Sequence, residues 1–175
     1  MSIAAVRIIG IDPGSRHTGY GIIDAERGRA RMVAAGRIST ASGTMPQRLL
    51  QIQDELAALL REHAPAEAAI EEVFVNRNVQ TALVLGQARG VALCALAQAT
   101  LDVAEYAPAQ VKLALTGSGR AEKLQVQHMV KVLLNLQGQM AVDASDALAI
   151  ALTHAQVRGM RERIAPVAGK RWSRA

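Results

Sequence analysis

At 175 residues, half of them apolar, the chain has the size of one ordinary globular domain that buries a core without disulfides or a structural metal. Its net charge of +5 points toward nucleic acid, yet the last 18 residues hold six of the 20 basic and one of the 15 acidic residues, leaving 14 of each in residues 1–157. A single cysteine excludes an internal disulfide or a zinc cluster, and with no apolar run of roughly 18 residues and no secretory leader pattern the expected location is cytoplasmic.

In chain order, residues 6–11 form a short apolar run ending in Asp12-Pro13-Gly14, and residues 18–23 and 31–38 read as further strands separated by glycine-bearing turns. These predict an antiparallel three-strand meander. Thr44 and Gln47 have capping-box spacing, Pro46 suits a first helical turn, and Leu49, Ile52, Leu56, Leu59 and Leu60 make one apolar stripe, predicting a helix over 45–64. Residues 67–73 predict a strand that joins the sheet in parallel after that helix. A helix rich in small residues is expected over 79–100, where Gly86 and Gly90 allow close approach of a neighbour, and Cys94 within it is expected to be a buried thiol. Residues 101–106 read as a last strand, Pro108 as the start of a short helix, and two more helices are expected near 120–136 and 143–157. The expected fold class is α/β, a mixed five-stranded sheet flanked by helices over 1–157, followed by a basic, disordered tail over 158–175.

The placement of the acids carries the functional signal. Asp12 ends the first strand, Glu71 lies in the fourth, and Asp143 and Asp146 open the last helix three residues apart, a spacing that puts both on one face. Only one of Glu71 and Glu72 can join them, because successive strand residues face opposite ways. Carboxylates gathered at one point repel each other and lose hydration, which makes sense where divalent cations neutralise them. Oxygen donors without a Cys or His pair favour Mg²⁺ or Mn²⁺, and two such ions about 3.5–4 Å apart activate water and stabilise the leaving oxygen of a phosphodiester. Singly, each acid has a plainer reading: Asp143 and Asp146 suit a helix N-terminus and Asp12 a turn. Glu71, flanked by Ala, Ile and Val, is a poor place for an unpaired charge.

Gly10-Ile11-Asp12-Pro13-Gly14-Ser15 with Thr18-Gly19-Tyr20-Gly21, Ala69-Ile70-Glu71-Glu72-Val73-Phe74, Leu85-Gly86-Gln87-Ala88-Arg89-Gly90, the segment from Ala121-Glu122-Lys123 to Val130, and Asp143-Ala144-Ser145-Asp146 resemble the blocks of bacterial RuvC-type Holliday junction resolvases, in order and spacing. The resemblance covers residues 6 to about 157. It implies a ribonuclease-H-like fold, a homodimer, Mg²⁺-dependent paired nicking of a four-way DNA junction, and a partner machine built from RuvA and RuvB. It implies Asp12, Glu71, Asp143 and Asp146 as metal ligands, Lys112 and Lys123 near the scissile phosphate, and Phe74 stacked on an unpaired base. The family commonly carries glutamine where Glu72 stands.

Lys123 and Lys131 share a helical face with Gln127 between them and suit a phosphate backbone or a solvated surface. Arg77 and Arg89 read as phosphate contacts or plain surface charges. The helix over 79–100 is the choice for part of the subunit contact, beside core packing within one monomer. Two rivals stand against the nuclease. Gly-Ile-Asp-Pro-Gly also resembles the phosphate hairpin of actin-like ATPases, although Tyr20 and Gly21 occupy the places a Walker loop gives to Lys and Ser or Thr. The other is a junction-binding module that keeps the fold and has lost the reaction.

Overall fold

Apolar alternation near the N-terminus gives three antiparallel strands, β1 (Val6–Asp12), β2 (His17–Glu26) and β3 (Arg29–Ser39). In the computed structural model, which describes residues 5–40, 42–73 and 79–164, β2 and β3 run further than the sequence pattern suggested. The reason is the turn: Arg27 and Gly28 both take positive φ, 48° and 79°, a two-residue geometry whose twist suits a hairpin, so the ladder continues through the charged pair Glu26 and Arg29.

Helix α1 (Met45–His63) starts where expected, and the Gln47 side-chain oxygen accepts the Thr44 N–H at 2.8 Å. β4 (Glu67–Glu71) then pairs in parallel with β1, α2 (Val79–Gln98) crosses over, and β5 (Val103–Tyr106) pairs in parallel with β4. The order β3-β2-β1-β4-β5 is the mixed five-stranded sheet expected from the sequence. Helices α3 (Pro108–Thr116), α4 (Lys123–Leu134) and α5 (Val142–Ile164) complete the fold.

Strand alternation divides the core in two. Ile9, Ile11, Ile22, Ala68 and Ile70 pack on one face against Ile52 and Leu56 of α1 and Ala88, Ala92 and Leu96 of α2. Ile8, Ile23 and Ala69 pack on the other against Val111 and Leu115 of α3, Val126 and Val130 of α4, and Leu148 and Ile150 of α5. Asp12 has the parity of Ile8 and Glu71 that of Ala69, so both belong to the α5 face.

Helix α5 lies on the sheet backbone itself. A β-carbon at Gly10 would sit 2.2 Å from the Ala147 carbonyl oxygen, one at Gly19 2.2 Å from that of Asp143, and one at Gly21 2.7 Å from the Leu148 nitrogen. Gly10 pairs with Gly21 across β1 and β2, and Asp12 pairs with Gly19. The glycines therefore form a floor beside Asp12 on which the helix carrying Asp143 and Asp146 rests.

Three expectations change. Among the described residues, and apart from the helix's own backbone, nothing lies within 4 Å of a β-carbon built at Gly86 or Gly90, so these glycines serve no close approach inside the described fold. Cys94 is exposed because α2 buries its opposite face, Ala88, Ala92, Ala95 and Leu96. Helix α5 continues to Ile164, past the expected boundary at residue 157, and Arg158 Nε donates to Glu67 Oε1 at 2.8 Å; residues 165–175 of the basic tail lie outside the described residues.

Gly10→Ala tests the floor. The added methyl meets backbone atoms that cannot turn aside, so urea unfolding should show a loss of about 3 kcal/mol, at the upper end of the usual overpacking range. An unchanged midpoint would show that α5 has room to lift.

Candidate active site

Asp12, the last residue of β1, and Glu71, the last of β4, end adjacent parallel strands, with Ile11 opposite Ile70 in the register. Asp143 and Asp146 sit on the first turns of α5, above Gly19. The four acids converge electrostatically. Burial first, then Glu71, Asp146 and Asp143, push the Asp12 carboxyl up to about 7 against the opposing pull of Lys123. Burial, followed by Asp146, also raises Glu71, while Lys123, a hydrogen bond from Asp12, and Lys112 act the other way. Each carboxylate is thus held where its charge costs free energy unless a cation joins it.

The protein's own cations offset part of that cost. Lys123, the first residue of α4, places Nζ 2.6 Å from Asp146 Oδ2. Its ammonium loses hydration, yet Asp146, Asp12 and Asp143 raise its pKa overall, so it stays protonated at neutral pH. Lys112 of α3 lies close enough to act on Glu71. Arg37 of β3, unremarked in the sequence, places Nη1 3.7 Å from Asp143 Oδ2. Its signal was the register: Arg37 pairs with Gly19, which pairs with Asp12, so the three cross the sheet in one row. Among the described residues no three acids are already closed into a metal cage; Lys123 and Arg37 engage the α5 aspartates instead. The donor set, all carboxylate oxygen and partly buried, nevertheless fits a hard divalent cation, which would relieve the repulsion that raises Asp12 and Glu71.

The remaining expected residues divide. Lys131 lies eight residues beyond Lys123 on α4, about two turns from the end of the helix that meets Asp146. Arg89 does not extend as a free phosphate contact: its Nε donates to the Glu71 carbonyl oxygen at 3.1 Å and its Nη2 pairs with the Glu105 carboxylate. Glu72 follows β4, and its N–H donates to the Tyr106 carbonyl oxygen at 2.9 Å. Phe74 and Arg77 lie outside the described residues.

Comparison with known proteins gives a consistent family. A family model for crossover junction endodeoxyribonuclease RuvC matches residues 8–154. A crossover junction endodeoxyribonuclease RuvC from Dichelobacter nodosus is 52% identical over 153 residues, 87% of each chain. The solved structure of Thermus thermophilus RuvC, 35% identical, superposes with a TM-score of 0.82 over 89% of this chain and 97% of that one. T. thermophilus RuvC in complex with a Holliday junction substrate gives 0.84 at 34% identity, over 89% and 96% of the two chains. The shared architecture is the ribonuclease-H-like fold.

The raised Asp12 makes a prediction about the metal-free protein. Its folded pKa, about 7, exceeds the unfolded 3.8, so the folded state binds the extra proton and stability falls as pH climbs through that window. Asp12→Asn removes this penalty. In EDTA at pH 8 the variant should melt about 2–8 °C above the parent, from about 1–2 kcal/mol at roughly 2–4 °C per kcal/mol, and the gap should close toward pH 4. Equal melting at both pH values would show that the acids do not crowd one another.

Proposed function

Because this chain belongs to the RuvC family of crossover junction endodeoxyribonucleases, we propose that it resolves four-way DNA junctions by hydrolysing phosphodiesters with Mg²⁺ held by Asp12, Glu71, Asp143 and Asp146. The observation that carries the metal reading is the Asp12 carboxyl, pushed to about 7 by burial and by the three other acids. Repulsion of that kind persists in a folded protein where binding a cation is the use of the site. Bound there, two divalent ions would activate water and stabilise the leaving oxygen, and Mn²⁺ has the same ligand preference.

The chain's own residues supply the rest. Lys123, raised by its acidic neighbours, is a fixed positive charge and not a base at neutral pH. With Lys112 across the site, it offsets negative charge growing on the phosphate during attack. Arg37, half exposed at the β3 end of the row, and Lys131 further along α4 offer contacts to the strands on either side. A relative's structure with a Holliday junction supports a four-way substrate, and action beside branch migration by RuvA and RuvB belongs to the same reading.

A four-way junction presents two equivalent strands, and a two-fold pair of subunits presents two equivalent sites. The face of α2 that no described residue covers suits such a pair. Val79 is 64% and Leu83 60% exposed, and Gly86, Gly90 and Cys94 continue that stripe at helical spacing. With a mean hydropathy of 1.4, α2 is long and apolar enough to cross a membrane by composition alone. Its other face is built into the core of this domain, so a second copy is the occupant we infer for the open side, and the bare glycines let two helix backbones approach closely.

Two experiments test this. Asp12→Asn and Glu71→Gln should leave affinity for a synthetic four-way junction within about threefold while lowering Mg²⁺-dependent nicking by about 10²-fold or more, above the roughly 10- to 100-fold cost of losing an outer-shell partner. Normal cutting by either variant removes the catalytic assignment, and binding without paired nicks by the parent chain identifies a non-catalytic module. Leu83→Glu should shift sedimentation from dimer to monomer and replace paired nicks by single, uncoordinated ones. A dimer that persists places the contact elsewhere.

A further inference from the structure

Arg89 and Glu105 sit on the sheet face opposite the acids, and neither has a part in the chemistry proposed above. Arg89 projects from α2 beside the buried Ala88 and Ala92, and its side chain is only 19% exposed. Its Nε–H donates to the carbonyl oxygen of Glu71 at 3.1 Å, and its Nη2 pairs with the carboxylate of Glu105. Glu105 lies on β5, one residue before Tyr106, which is opposite Glu71 in the β4–β5 register. One guanidinium therefore ties α2 to the ends of two neighbouring strands. The contact falls at the end of β4, where the Glu72 N–H still reaches the Tyr106 carbonyl oxygen at 2.9 Å.

That strand end carries an unusual demand. Asp146 repels the Glu71 carboxylate across the site, a push directed at the last residue of a strand, where ladder bonds hold least. Arg89 donates to the Glu71 carbonyl oxygen and spends its charge on Glu105, so it acts on the main chain of that strand end. We propose that the Arg89–Glu105 pair is a positioning brace for Glu71, fixing its main chain from the far side of the sheet so that its carboxylate stays within reach of Asp12. Neither is a catalytic residue; both act through Glu71. The inference rests on the metal-nuclease reading and adds to it a structural connection between α2, the helix assigned to subunit pairing, and the catalytic strand.

The test uses the full chain, a synthetic four-way junction, Mg²⁺ titrations and single-turnover nicking, with junction affinity measured separately in EDTA. Arg89→Ala and the isosteric Glu105→Gln should each slow nicking at saturating protein by about tenfold, within the roughly 10²-fold cost of a 1 Å misplacement. Both should raise the Mg²⁺ concentration needed for half-maximal rate and for Mg²⁺-induced thermal stabilisation, with junction affinity within twofold of the parent. Arg89→Lys, which keeps the charge but offers a single donor nitrogen where the guanidinium offers a fork, should recover part of the rate. The brace is overturned if Glu105→Gln cuts and binds Mg²⁺ like the parent. It is equally overturned if the Arg89→Ala defect is weaker junction binding with a salt slope reduced by about one contact, the signature of a phosphate ligand. Should Arg89→Ala fold poorly, Glu105→Gln decides alone. A parent chain that binds Mg²⁺ but cuts no junction would fail the nuclease reading, and the Mg²⁺-induced melting shift of Glu105→Gln would still judge the brace.

Discussion

The contact on which the rest of this structure depends is between backbones: α5 lies against β1 and β2 with no side chain between them at Gly10, Gly19 and Gly21. Elsewhere helix meets sheet through apolar side chains that fill the space. Here the spacer is missing, and the first turns of the helix come down to the level of the strand ends. Asp143 and Asp146 thereby reach the same small volume as Asp12 and Glu71. A helix held one side-chain layer higher would carry its acids out of electrostatic range of the strands, and no rotamer choice at Asp143 would recover that distance. The helix is buried almost all round from Ala144 to Leu152 because α3 and α4 close over its outer side, which keeps it pressed to the floor.

That geometry sets up a conflict which the surrounding residues only partly resolve. Four carboxylates at one end of a sheet destabilise the fold that assembles them, and the burial raising Asp12 adds to the cost. Lys123 answers Asp146, Arg37 answers Asp143, and Lys112 acts on Glu71; none is a dedicated partner for Asp12. Asp12 is the deepest of the acids and the one left with the largest unmet demand for positive charge. The magnitudes favour an external cation: a divalent ion among oxygens outweighs a lysine on a half-exposed stem, whose charge is shared with water. Lysines that moderate the repulsion without cancelling it leave the acids available to exchange protein charge for metal.

Much of this was legible in the residues, and the rest failed for identifiable reasons. The four acids showed themselves because charged residues at strand ends and a helix start violate the pattern around them; strand parity allowed only one of Glu71 and Glu72 to join them, and the family resemblance chose Glu71. The glycine floor could not be read that way: Gly19 and Gly21 are merely small residues within a predicted strand until the structure places that strand under α5. Gly86 and Gly90 raised the opposite problem, since small residues on a helix signal close approach without saying to what. The Arg27-Gly28 hairpin hid within charged residues, because its information lies in two positive φ angles and not in apolar alternation. For Arg89 the sequence leaves a phosphate contact and a plain surface charge open, since it gives the charge but not the carbonyl and the carboxylate that engage it.

The two faces of the sheet have separate tasks, and the strand ends are where they meet. Acids and lysines gather on the α5 face, while α1 and α2 close the other with an apolar core and an open stripe. In the proposed two-fold pair the two sites need a defined separation, so the helix proposed to pair subunits has to be rigidly connected to the strands that carry the acids. Hydrophobic packing alone fixes a helix perpendicular to the sheet better than along it, since apolar surfaces slide at little cost compared with breaking a charge-assisted hydrogen bond. The Arg89 guanidinium, held by acceptors on two strands, supplies the directional restraint that Ala88 and Ala92 do not. A shift of α2 along its axis would be transmitted to the main chain of Glu71, and through it to the position of the acid that faces Asp12.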